Sequence, residues 1–235
     1  DILYYKNAGA MTFTVREINF YSEDIVITRS KDDGSPENLS LTWEKGAGTD
    51  DYSGIYTIGA AADHSEDGDY VIEVAYTDCS DNEMDAYTSK HIIMDTTKPI
   101  VDLSYDSNAQ ALIVKVTEKN FDKSKISVSG SAVDIKNAPV AINDLQECLR
   151  NESEWQTEGD VHTATITSQA TGGNQLTDGR YTLIVGCEDI AGNAADEATE
   201  SFVVDHTAPD VNNMEISYSV PIKEAFLSTV TYGYY

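Results

Sequence analysis

The sequence predicts an all-β chain: two tandem antiparallel β-sandwiches, with one short helix inserted in the second. Three observations carry that expectation. Apolar residues alternate with period two along most runs, the runs recur in two copies, and Gly, Asn and Asp turn signals separate them. A strand turns successive side chains to opposite faces, so period two marks a sheet with one face in a core.

In the first copy Met11, Phe13 and Val15 point one way, followed by Ile25 and Ile27, then Leu39, Leu41 and Trp43, then Tyr70, Ile72, Val74 and Tyr76. The second copy repeats the pattern in Ile126 and Val128, in Ala164 and Ile166, in Tyr181, Leu183, Val185 and Cys187, and in Phe202 and Val204. Turns are expected at Asp33-Gly34, Asp67-Gly68, Asp178-Gly179 and Ala191-Gly192-Asn193, because Gly and Asn tolerate positive φ.

The copies align directly. Residues 11–20 match 112–121 at an offset of 101, superposing Glu17 on Glu118 and Asn19 on Asn120. Asp67 to Asp78 match Asp178 to Asp189 at an offset of 111, and Trp43 answers Trp155. The growth in offset places an insertion in the second copy, near 131–155. Within it, Leu145, Cys148 and Leu149 share one face of a helix expected over Asp144 to Arg150, with Asp144 and Glu147 at capping-box spacing. That helix is expected to cover an edge or open end of the second sandwich. Both copies close on Asp-x-Thr-x-Pro, at Asp95 to Pro99 and Asp205 to Pro209. The expected boundaries are 1–97, 98–207, and a truncated third copy over 208–235. Pro99 fixes φ and holds the residue before it extended, which makes the connector short and stiff.

Fifteen Lys and Arg stand against 41 Asp and Glu, a net charge of −26. Such a surface disfavours nucleic acid and anionic lipid as partners. No eighteen-residue apolar run is present, so direct membrane contact is not expected. The first residues already read as strand, which suggests a piece of a longer polypeptide with any signal or anchor elsewhere. A monomer is expected.

Both copies resemble bacterial immunoglobulin-like domains, on the Asp-Gly-x-Tyr strand, the Asp189-Ile-Ala-Gly-Asn193 turn and the Asp-x-Thr-x-Pro connector. The first copy departs at its turn, where Asp81 must take the place of Gly192. The resemblance implies seven-stranded sandwiches, an extracellular setting on a bacterial (Gram-positive) surface or in a secreted protein, and no intrinsic catalysis.

No GxSxG, HExxH, P-loop or dinucleotide fingerprint is present, and His64, His91, His162 and His206 do not cluster at ligand spacing. No cofactor is expected, calcium excepted as a candidate. Its hard oxygen ligands would come from Asp78, Asp81, Asn82 and Asp85 in one acidic loop, answered in part by Asp189 and Asn193, or from a junction where Glu17 and Glu118 could reach Asp95 or Asp205. The competing reading has Asp78 and Asp189 accepting N–H bonds inside their own turns, and the sequence favours it. Cys148 and Cys187 are a disulfide candidate that would pin the insertion, against the alternative of buried free thiols. Trp43 and Trp155 read as packing residues, and Lys115 as an outward-facing strand residue.

The leading functional expectation is a non-catalytic spacer or stalk whose partners are neighbouring domains of the same polypeptide. The alternatives are a binding module for a host protein or glycan, adhesin-like or carbohydrate-binding, and an accessory region of a secreted glycan-degrading enzyme.

Overall fold

Most of the period-two patterning becomes strand in the computed structural model, which describes residues 2–48, 50–150, 155–167 and 176–207; Leu39 and Leu41, expected as strand with Trp43, lie outside the strands. Among the described residues the fold is all-β, with several antiparallel sheets and one short α-helix. The chain divides into one compact unit through Val204 and a second from Asp205, of which residues 205–207 are described. The expected third copy over 208–235 lies outside the described residues.

Among the described residues the first half forms nine strands: β1 (Ile2–Tyr5), β2 (Gly9–Arg16), β3 (Ile25–Lys31), β4 (Glu37–Asn38), β5 (Trp43–Lys45), β6 (Asp51–Ile58), β7 (Gly68–Tyr76), β8 (Tyr87–Thr88) and β9 (His91–Met94). One sheet runs β1-β9-β7-β3-β4, with β8 also on β7, and the other runs β2-β6-β5. All pairings are antiparallel except β1 on β9, which is parallel. Ile27, Ile58, Tyr70, Ile72, Ile92 and Met94 are the buried centre between the sheets. Met11, Phe13 and Trp43 pack against it only half-buried. The turn after β3 places Asp32 and Asp33 at φ 50° and 56°, a left-handed pair that Asp tolerates through its short polar side chain.

The second half contains β10 (Ile100–Asp106), β11 (Ala111–Thr117), a 3-10 turn (Lys123–Lys125), β12 (Ser127–Val133), α1 (Asn143–Arg150), β13 (Trp155–Glu158), β14 (Val161–Thr167), β15 (Gly179–Gly186) and β16 (Ala198–Val204). Its sheets are β10-β11-β14-β13 and β12-β15-β16, all antiparallel. The core is denser here. Val114, Val116, Ile126, Leu149, Leu183, Val185 and Val204 are fully buried. In β12, Gly130 sits at φ +119°, and a Cβ there would meet Thr182 O at 2.1 Å, so this close approach of β12 to β15 needs glycine.

Helix α1 packs on this core, as its apolar face predicts: Leu145, Cys148 and Leu149 are all buried in it. It also guards an edge. Gln146 Oε1 accepts from Val128 N at 3.1 Å, and Arg150 donates twice to Ile126 O, so the helix closes the start of edge strand β12. Farther along β12, Val140 N donates to Ala132 O at 2.8 Å. Trp155 Nε1 donates to Leu149 O and fixes the chain after the helix. The Asp144 side chain of the expected capping box lies outside the described residues.

Candidate functional site

Three segments deliver a carboxylate to one place. Asp95 directly follows β9 and opens the connector, Glu118 directly follows β11, and Asp189 begins the turn beyond β15. Each is nearly or completely buried, at 5%, 5% and 0% exposure, and one oxygen from each lies within 4.8 Å of the others.

Local hydrogen bonds hold each in place. Asp189 Oδ1 accepts from Gly192 N at 2.6 Å and Asn193 N at 2.8 Å, while Oδ2 accepts from Asn193 Nδ2 at 2.8 Å. Gly192 stands at φ +93°, the left-handed region that closes this turn. Glu118 Oε1 accepts from Asn120 N at 2.7 Å. Asp95 Oδ1 accepts from Thr97 N at 3.1 Å and Oδ2 from Asn120 Nδ2 at 2.6 Å. Asn193 Nδ2 also donates to Asp95 O at 2.8 Å, and Lys6 Nζ donates to Gly192 O. The end of the first half is thereby tied to two loops of the second.

Among the described residues, no Lys, Arg or His side chain pairs with any of the three carboxylates. Burial, and then the charges of Asp95, Asp189 and Asp160, push the Glu118 carboxyl up to about 7 against the pull of its Asn120 N–H bond. Burial also raises Asp95, opposed by its Asn120 bond and reinforced by Asp189. Two unit charges at this separation repel by about 3 kcal/mol at an effective dielectric of about 20, more than the ~1 kcal/mol net return of a hydrogen bond. A buried, all-oxygen, uncompensated set of this kind suits a hard divalent cation such as Ca²⁺, and its lack of nitrogen and sulfur donors does not suit zinc.

Of the sequence candidates for calcium, Asp95 and its junction partner Glu118 fall in this cluster, and the 78–85 loop does not. Asp81, Asn82 and Asp85 are exposed. Asp78 spends its oxygens on its own turn, taking Ser80 N, Asn82 N and Asn82 Nδ2 at 2.8 Å each, and the Asn82 bonds hold its carboxyl below the usual range. Asp81 stands at φ 61° where the second half has Gly192. Asp189 shares with Asp78 the two bonds from the Asn four residues on, yet is completely buried beside two further acids, so the turn and metal readings of Asp189 are compatible. Glu118, named in the sequence only as able to reach the Asp95 junction, is at the centre. The readable signal was the recurrence of Glu-x-Asn at 17–19 and 118–120 and of Asp-x-x-x-Asn at 78–82 and 189–193.

The remaining candidates separate. Cys148 and Cys187 are both buried in the second core with no disulfide between them, and burial pushes the Cys187 thiol up to about 12. Trp43 packs edge-on to Phe20 and Trp155 packs at a tilt to Phe121, each at 4.9 Å between ring centres. Lys115 is exposed and stands opposite Asp102. His64, His91 and His162 bind Thr96, Asp69 and the Glu118 carbonyl in separate places. No protein-family model matches the chain, and no curated protein matches it either.

Proposed function

We propose that the chain is a non-catalytic extracellular spacer of a bacterial surface protein, built of tandem immunoglobulin-like sandwiches whose junction is clamped by a divalent cation. The observation that carries this is the buried Asp95, Glu118 and Asp189 trio, which spans the connector and two loops of the second half. A spacer transmits position only if its joints resist bending, and a cation shared across a joint removes the repulsion that otherwise loosens it.

Matched local geometry supports the tandem immunoglobulin-like reading. Tyr70 donates to Glu66 O at 2.7 Å and Tyr181 to Thr177 O at 2.9 Å, each reaching four residues back in the manner of a tyrosine corner. The Phe20–Trp43 and Phe121–Trp155 pairs occupy corresponding positions.

The test is NMR relaxation of the whole chain, with each half's tumbling measured in EDTA and in millimolar Ca²⁺. Joint tumbling in Ca²⁺ that is lost in EDTA, and lost in Asp189→Asn under both conditions, is the expected result. Independent tumbling of the halves in Ca²⁺ would overturn the proposal.

A second reading, a binding module, is favoured by an open apolar cleft of about 920 Å³ between the two sheets of the first half.

A further inference from the structure

Strand β1 ends beside the connector. Its pairing with β9 closes on Tyr5 opposite Met94, and the residue after Met94, Asp95, donates its N–H to Tyr5 O at 2.9 Å. The backbone of Asp95 is thereby fixed against the residue that precedes Lys6. Lys6 reaches across to the second half, where its Nζ donates to Gly192 O in the turn that carries Asp189. Two consecutive residues, Tyr5 and Lys6, hold two of the three acid-bearing segments.

The Lys6 bond also acts on the Asp189 carboxylate. The carbonyl that accepts it shares a peptide group with Asn193 N, and that N–H donates to Asp189 Oδ1 at 2.8 Å. A positive charge at the oxygen end of an amide polarises it and strengthens the bond at its hydrogen end. Lys6 Nζ, the peptide between Gly192 and Asn193, and Asp189 Oδ1 form one such chain.

Position 192 is shaped for this reach. The matching turn of the first half places Asp81 at φ 61°, so a left-handed residue that carries a side chain can close such a turn. At Gly192 a Cβ would lie 3.2 Å from Lys6 Nζ, 3.6 Å from Lys6 Cε and 3.4 Å from Glu188 Oε1. The glycine keeps open the space that the lysine occupies. An ammonium group has donors and no acceptor, so Lys6 is not itself a ligand for a cation. Among the described residues it pairs with none of the three carboxylates, which leaves their oxygens to an ion.

We propose that Lys6 is the positioning residue of the cation site: from the end of β1 it seats the Asp189 turn against the Asp95 connector, so that the carboxylates of both halves are gathered before Ca²⁺ arrives. The inference rests on the reading of the buried trio as a divalent-cation site.

Two opposed effects make the role readable. Removing a positive charge near a bound cation tightens binding, because like charges repel. Removing a positioning contact loosens it, because the apparent affinity scales with the fraction of molecules ready to bind. Calorimetric titration of Ca²⁺ into the whole chain is expected to show a Kd about tenfold weaker in Lys6→Met, with most of the affinity recovered in Lys6→Arg. Gly192→Asn, whose side chain tolerates the left-handed region but displaces Lys6, is expected to weaken binding similarly. The double variant is expected to be no weaker than either single one, since both remove one contact. In EDTA the Asn193 amide proton, followed by NMR, is expected to move upfield in Lys6→Met and to return in Lys6→Arg. Unchanged or tighter Ca²⁺ binding in Lys6→Met, additive effects in the double variant, or an unmoved Asn193 amide would overturn the role of Lys6 while leaving the cation site standing. No heat and no rise in melting temperature with millimolar Ca²⁺ in the unmodified chain would overturn the cation reading, and this proposal with it.

Discussion

Asn120 donates from its side-chain amide to Asp95 Oδ2 across 2.6 Å, and its own backbone N–H holds Glu118 Oε1 at 2.7 Å. One residue thus positions two of the three buried acids. Replacing it by Ala leaves the Asp95 oxygen buried without its donor, which costs about 1 to 3 kcal/mol. A lowered denaturant midpoint for Asn120→Ala in EDTA is the expected outcome, and an unchanged midpoint would show that the bond contributes nothing.

Metal addition separates the two acidic turns. Binding at a free concentration one hundred times Kd adds about 2.7 kcal/mol of stability. Calcium is expected to raise the melting temperature of the unmodified chain and of Asp78→Asn, and to have no effect on Asp189→Asn. A response lost in Asp78→Asn instead would move the site to the 78–85 loop.

The Glu118 carboxyl, raised to about 7 in the folded chain from an ordinary 4.5, makes stability depend on pH in a defined direction. The folded state holds the proton more tightly than the unfolded state. Stability is therefore greatest below about 4.5 as far as this group is concerned, and is lost as pH rises through about 7. The shift corresponds to a loss on the order of 3 kcal/mol, and Glu118→Gln in EDTA should flatten it. Chemical denaturation at several pH values checks this. A Glu118→Gln profile identical to that of the unmodified chain would disprove it.

Leu149 is completely buried in the second core and belongs to the inserted helix. Leu149→Ala should lower the stability of the chain by about 2 to 4 kcal/mol, the usual cost of a cavity at a well-packed site. Because Leu145 and Cys148 are buried with it, the helix is a closing element of the sandwich and not an exposed recognition loop.

Thiol chemistry should follow burial. Cys79 is exposed, whereas Cys148 and Cys187 are buried. A thiol-specific reagent is expected to modify one cysteine quickly in the native chain and the other two only on unfolding. Two thiols missing after full denaturation without reductant would point to a Cys148–Cys187 disulfide.

The sequence made the strands legible wherever a face is buried, because burial enforces the alternation. β11, with Leu112, Val114 and Val116, and β15, with Tyr181, Leu183 and Val185, are the clearest cases. The helix was legible for the same reason, through the spacing of Leu145, Cys148 and Leu149. The departure of β1 to the opposite sheet was not, since Ile2 to Tyr5 read as strand on either sheet and only long-range pairing decides between them. Asp189 was legible as a turn acid from its spacing to Asn193. Its meeting with Glu118 and Asp95 depends on three loops converging, which no local pattern records.

The parallel seating of β1 on β9 has a mechanical consequence. Tension applied through the chain enters at Ile2 and leaves at Met94, at opposite ends of the paired segment, so all four rungs from Ile2–His91 to Tyr5–Met94 are sheared together and none can be peeled first. Forced rupture follows the unfolding rate and not equilibrium stability. The looser, cleft-bearing half can therefore be the one that holds longer when the chain is stretched, an order that single-molecule pulling with a marker on each half would read directly. Rupture of the first half at the lower force would refute it.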